Sequence, residues 1–155
     1  MRLPVLILAI AGVSAAACGN SANSLPTSPS GSSTSSTPTA VTERFDAIVD
    51  LKGSNFFPFS VNQSGGTVSL NFASLSPLNR PGLLAVPMEI GYGTTVLDDD
   101  NNVVGCDLRK TIQATPALTA QMSDTVTAAA NYCANIADVG GLREPANFSI
   151  RITHP

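Results

Sequence analysis

The chain of 155 residues has no tryptophan, one histidine and three cysteines, and only 12% of it is charged. Each shortage removes a class of function. Without tryptophan, and with two tyrosines, it is short of the exposed aromatic platforms on which sugar rings stack. A zinc site needs several His or Cys ligands, and none can be assembled from His154 and the cysteines. Ser-His-Asp chemistry needs a histidine held by a buried partner, and a residue one place from the end is expected to be mobile. The basic residues Arg44, Lys52, Arg80, Arg109, Lys110, Arg143 and Arg151 are scattered. No concentrated cationic surface results, which excludes nucleic acid as a partner. Phosphate-cradling glycine loops and nucleophile elbows are missing as well. Glu89 with Asp98 would make a carboxylate pair of the glycosidase kind. Any set of eleven acids offers such pairs, so this one carries no signal. The expectation is a protein that is not an enzyme.

What is present begins at the N-terminus. Arg2, an unbroken apolar run from Leu3 to Val13, and Ala15-Ala16-Ala17 before Cys18 form an export signal over residues 1–17. The run is too short to span a bilayer, which takes roughly 20 apolar residues. Ala15-x-Ala17 also suits ordinary signal peptidase. Small residues before a cysteine instead form a lipoprotein box, imperfect here because Ala15 stands where leucine is commoner. Cysteine arithmetic favours acylation: Cys106 and Cys133 can pair, and Cys18 is the odd one out. Stable anchoring takes more than one acyl chain, which lipoprotein processing supplies. Gly19 rather than Asp follows Cys18, so the outer membrane is the expected address and the membrane the expected partner. Residues 18–40 then read as a disordered Ser/Thr/Pro linker, reaching on the order of 25–30 Å.

Residues 41–155 are the right size for one domain, and period-two alternation dominates them. Phe45, Ala47, Val49 and Leu51 share one face, with Arg44, Asp46, Asp50 and Lys52 opposite. Further sets are Phe57, Phe59 and Val61; Val68, Leu70 and Phe72; Leu84 to Tyr92, with Pro87 marking an edge or a bulge; and Phe148, Ile150 and Ile152. Turn-formers separate them at 64–66, 76–82, 98–102 and 140–141. The alanine-rich stretch Ala117 to Ala137 could be helical by propensity. Leu118, Ala120 and Met122 alternate, as do Tyr132, Ala134 and Ile136, which predicts two strands instead. One polar and one apolar face per strand, with short connections, describes antiparallel sheets packed face to face.

A Cys106–Cys133 disulfide would close a loop of about 28 residues, worth roughly 3.5 kcal/mol in the chain-entropy model. Cys133 shares the parity of Asn131 and Asn135, so the bridge should face outward and pin the loop after the acidic turn. That turn, Asp98-Asp99-Asp100-Asn101-Asn102, is the one acidic cluster. Calcium wants six to eight oxygens; the run lacks EF-hand spacing and a distal Glu, and Asp and Asn are ordinary turn formers. No cofactor is expected, with calcium at Asp98, Asp99 and Asp100 as the alternative. Tyr92 and Tyr132 share parity with core residues, whereas Phe56 points outward.

The pieces FFPFSVN at 56–62, GGTVSLNFASLSP at 65–77, ANYCANIADVG at 130–140 and ANFSIRITHP at 146–155 resemble the bacterial pre-peptidase C-terminal domain. Ala130-Asn131 replaces the usual glycine before the tyrosine strand, and the cysteine pair is not general to that family. The resemblance implies a jelly-roll-like β-sandwich of about seven to nine strands with an accessory, non-catalytic role. The expectation is a lipid-anchored cell-envelope protein with a binding or structural role. Its partners would be the membrane and an envelope protein or glycan. The alternative is a carbohydrate- or calcium-binding module.

Overall fold

The computed structural model describes residues 39–62 and 65–155. The leader, Cys18 and the linker as far as residue 38 lie outside the described residues. Eight strands run in chain order: β1 (Val41–Val49), β2 (Ser54–Val61), β3 (Gly66–Pro77), β4 (Met88–Leu97), β5 (Val103–Ala114), β6 (Met122–Val126), β7 (Ala130–Ala137) and β8 (Ala146–His154). They form two antiparallel sheets of four, ordered β1-β8-β3-β6 and β2-β7-β4-β5. Consecutive strands mostly cross between sheets, and the order is that of the eight-stranded jelly roll. The expected antiparallel sandwich with one disulfide is what the chain forms.

Alternation explains most of the elements. Val49, Phe59, Leu70, Phe72, Ile90, Ile136, Ile150 and Ile152 are buried between the sheets, each contributing about 1.5–3 kcal/mol by removal from water. In β3 the inward set Val68, Leu70, Phe72 is followed by Leu75 and Pro77. The parity change comes from a bulge between Phe72 and Ser74, where one extra residue re-aims the strand. On the other edge of β3 the Gln121 side chain, just before β6, extends the pairing past Leu70. Its oxygen accepts from Phe72 N at 2.8 Å, and its amide donates to the Phe72 and Thr115 carbonyls at 3.0 and 3.1 Å.

Four expectations need correction. Leu51 does not continue the face of β1; it sits exposed in the turn Asp50–Gly53, which the Gly53 N to Asp50 carbonyl bond closes at 2.9 Å. Leu84 and Val86 pack beside the core, but the strand starts at Met88, directly after Pro87. Two strands do occupy the alanine-rich region, yet the first begins at Met122, and Leu118 is 97% exposed. Strand β5 has no counterpart among the sequence-derived sets. Only its last residues, Ile112 and Ala114, pack on the core, so its first half shows no alternation of the kind that burial imposes.

Register defines two ends. Val49 faces Ala146, which faces Pro77; Ala137 lies between Ser54 and Glu89, and Met88 faces Ala114. That is the far end. The chain enters at the other, where Val41 faces His154 and the turn 98–102 joins β4 to β5.

Candidate functional site

The outer face of the first sheet carries a hollow with mostly polar lining. Across β1, β8 and β3 the register aligns Asp46 with Ser149 and Ser74, and Ile48 with Asn147 and Ser76. The β3 bulge puts both Ser74 and Ser76 on this face. Arg44, Asp46, Ile48, Ser74, Ser76 and Asn147, together with Ala47 and Phe148, line a hollow of about 330 Å³. Arg44 donates to the Asp46 carboxylate from Nε and Nη2 at 3.0 and 2.9 Å, and that bond holds the Asp46 carboxyl below its ordinary range against the upward push of burial. Beside them Ser149 Oγ is buried opposite Asp46, and its hydroxyl also helps to lower that carboxyl. The hollow thus offers a planar cation, a carboxylate, an amide and hydroxyls, a set that hydrogen-bonds polar ligands from both directions.

His154 overturns its expected mobility. It ends β8 buried, with Nε2 at 3.0 Å from Glu43 Oε1 and its ring centroid 5.1 Å from that of Phe59. Glu89 and Asp98 are not brought together. Glu89 lies near the start of β4 and Asp98 beyond its end, roughly 30 Å along an extended strand.

Asp98, Asp99 and Asp100 form the exposed turn from β4 to β5. The Asp98 carboxylate accepts from Asp100 N at 3.0 Å and from Asn102 N at 2.8 Å; the Asn102 backbone bond does most to lower its pKa. Asn101 takes a left-handed φ of 63°. Among the described residues no three His, Cys, Asp or Glu side chains are grouped to hold a metal ion.

Cys106 and Cys133 are joined, with Cα atoms 5.8 Å apart. They lie on β5 and β7, which β4 separates; two strand spacings in a flat sheet would be about 9.5 Å. The bridge lies on the outward side, as parity requires, but it pins a strand rather than a loop. Gly91 and Gly93 alternate with the buried Ile90 and Tyr92 and so face outward. A Cβ on Gly93 would overlap the Asp107 backbone, and one on Gly91 would lie 2.8 Å from the Lys110 carbonyl. The backbone of β5 therefore curls over the outer face of its own sheet, filling the space that two glycines leave.

Three polar arrangements were not foreseen. The Asp138 side chain, buried between loops, accepts from Lys52 N at 2.8 Å with one oxygen. Its other oxygen takes Gly140, Gly141 and Leu142 N at 3.0, 2.9 and 3.1 Å. Burial pushes its carboxyl up, but these four bonds prevail and the pKa is lowered. The run Asp-Val-Gly-Gly was a possible signal, because Asp accepts from the backbone ahead of it in turns. Tyr92 Oη donates to Asp124 at 2.6 Å, tying the two sheets together; burial, then Asp124, raises the phenol to about 12. The Asn71 amide donates to the Ala117 and Thr119 carbonyls at 2.9 and 2.6 Å. Tyr92 and Tyr132 are buried and Phe56 is partly exposed, as alternation indicated.

No protein-family model and no curated protein matches this chain.

Proposed function

We propose that the chain is a non-catalytic protein of the bacterial cell envelope, tethered through lipid on Cys18, whose β-sandwich binds or supports an envelope partner. The observation that carries the tether is the cysteine count. The Cys106–Cys133 bond uses two of the three cysteines and leaves the one that follows an apolar leader for acylation. Such processing removes residues 1–17, and Gly19 directs the product to the outer membrane. The Ser/Thr/Pro stretch 18–40 then serves as a spacer. A likeness to the pre-peptidase C-terminal domain points the same way, toward an accessory role, though fold likeness alone does not carry function. Labelling with an alkyne fatty acid tests the tether: the protein should carry label and partition into detergent, and Cys18→Ser should abolish both. Soluble, unlabelled wild-type protein would end the reading.

The hollow over Arg44, Asp46, Ser74, Ser76 and Asn147 favours one second reading, a module for a polar glycan. Matched donors and acceptors suit sugar hydroxyls, and the flat aromatic that usually accompanies them is replaced by the Arg44–Asp46 pair. A glycan array is the test, with silence across polysaccharides counting against it. The calcium alternative at Asp98, Asp99 and Asp100 predicts heat on titration and a thermal shift; neither should occur if the turn is only a turn.

A further inference from the structure

The two sheets have four edges, β1 and β6 in one and β2 and β5 in the other. Three of them are poor templates for a further strand. β2 carries Pro58 in its middle, which offers no N–H. β6 is five residues long, and the Cys106–Cys133 bond holds the first half of β5 over its own sheet. The fourth, β1, is nine residues long without proline or glycine, and it pairs with β8 through every residue with no bulge. Its other side is unpaired among the described residues. A straight open edge of this kind accepts another strand. Charged side chains are the usual defence of an edge, and β1 has three. Glu43 is taken by His154 at 3.0 Å. The other two, Arg44 and Asp46, have opposite signs and stand on either side of Phe45, the midpoint of the strand.

We propose that β1 is a dimerisation edge, at which a second copy of this chain adds its own β1 antiparallel across a two-fold axis through Phe45. The strand itself selects a copy of itself. Pairing about Phe45 uses all nine residues and sets position 44 of each copy opposite position 46 of the other. Arg44 then faces Asp46 twice in one interface, and opposite charges directly across a pair of strands are favourable. Moving the axis one residue either way sets Arg44 against Arg44 or Asp46 against Asp46, which is unfavourable. On β8 the register partner of Arg44 is Arg151, a like-charge neighbour that the incoming carboxylate offsets. Within one copy Arg44 and Asp46 already bond at 2.9 Å while more than half exposed, so the two pairs meet as a cluster of four alternating charges. The inward face agrees. Phe45 stacks on Phe57 of the neighbouring edge strand β2 with ring centroids 4.8 Å apart, and both rings are only partly buried. The axis brings the two Phe45 rings together and covers them, and aromatic side chains suit a protein interface. The product is one eight-stranded sheet with an isologous contact, and the two hollows lined by Arg44 and Asp46 lie side by side on its outer face.

The inference is independent of acylation and of any ligand in the hollow, so the test uses the mature chain from residue 18 with Cys18→Ser. Analytical ultracentrifugation should show a dimer at micromolar concentration. Arg44→Asp leaves acids at both 44 and 46, and Asp46→Arg leaves bases at both. Each variant alone therefore opposes like charges and should self-associate roughly tenfold or more weakly than wild type. Mixed in equal amounts, the two variants present opposite charges at both positions and should form a heterodimer. The double variant Arg44→Asp with Asp46→Arg restores the alternation and should dimerise as wild type does. Circular dichroism should show the sheets retained throughout, because both side chains are more than half exposed. If a single variant loses that spectrum, the double exchange decides alone. Monomeric wild type, single variants that stay apart when mixed, a double variant that stays monomeric, or a dimer indifferent to every change would overturn the proposal.

Discussion

The outer faces of the two sheets have been treated in opposite ways. The β2-β7-β4-β5 sheet is roofed by its own chain: β5 bends over Gly91 and Gly93, and the Cys106–Cys133 bond fixes the bend, leaving Cys133 fully buried. The β1-β8-β3-β6 sheet has an open hollow lined by Arg44, Asp46, Ser74, Ser76 and Asn147. A jelly roll needs only its inner faces to fold. What is done to the outer faces is therefore available for other work, stiffening on one side and recognition on the other.

Breaking the roof should have the largest consequence. Cys106→Ser with Cys133→Ser should cost roughly 3.5 kcal/mol, read as a lower denaturation midpoint, and should speed amide exchange in β5 more than in β8. A uniform loss across both sheets would show that the bond holds the whole sandwich rather than one face. Gly93→Ala attacks the same roof without touching sulfur. Its Cβ would meet the Asp107 backbone, which cannot rotate away as a side chain would. A cost of about 2–3 kcal/mol is expected, whereas Gly105→Ala, with its nearest neighbour at 3.6 Å, should be much milder. Equal effects would remove the argument for a close β5 approach.

This roof also marks where the sequence stopped being legible. The rows Phe57–Val61, Val68–Phe72 and Phe148–Ile152 stand out because large apolar residues recur at every second position in each, and their pattern established the fold class. A strand that curls over an outer face has no such two-sided environment, so Val103–Lys110 carries no period. The glycines at 91 and 93 were visible, but their meaning depends on a strand that passes over them later in the chain. Parity did place the disulfide on the outer side. The polar hollow was illegible for a different reason. Ser74 and Ser76 join Asp46 and Asn147 only through register and a bulge, and neither is written in local propensity. His154 failed on position: a residue beside the terminus was expected to be mobile, and it is buried by partners distant in sequence.

Asp138 offers a mid-sized test, because it lies at the far end, where connections from both sheets meet. Replacing it by Asn removes the charge from four backbone bonds and should cost about 2 kcal/mol. Its pKa is lowered in the folded state. The stability it gives is therefore present above the ordinary carboxyl pKa and is lost as the pH falls through the depressed folded value. The same direction holds for Asp46, Asp98 and Asp124, so acid should destabilise the wild type steeply. Asp138→Asn should flatten that profile. An unchanged slope would mean that the hub does not titrate with unfolding.

The smallest effect on stability should come from the open face. Arg44 and Asp46 are more than half exposed, and ion pairs in water contribute roughly 0–1 kcal/mol. Arg44→Ala and Asp46→Ala should therefore leave the midpoint within about 0.5 kcal/mol of wild type. Their effect on recognition should be out of proportion. If a polar ligand occupies the hollow, each change removes one side of a bidentate contact, and binding should fall roughly tenfold or more. A loss of stability without a loss of binding would reverse the division of labour, making the open face structural and returning recognition to the loops.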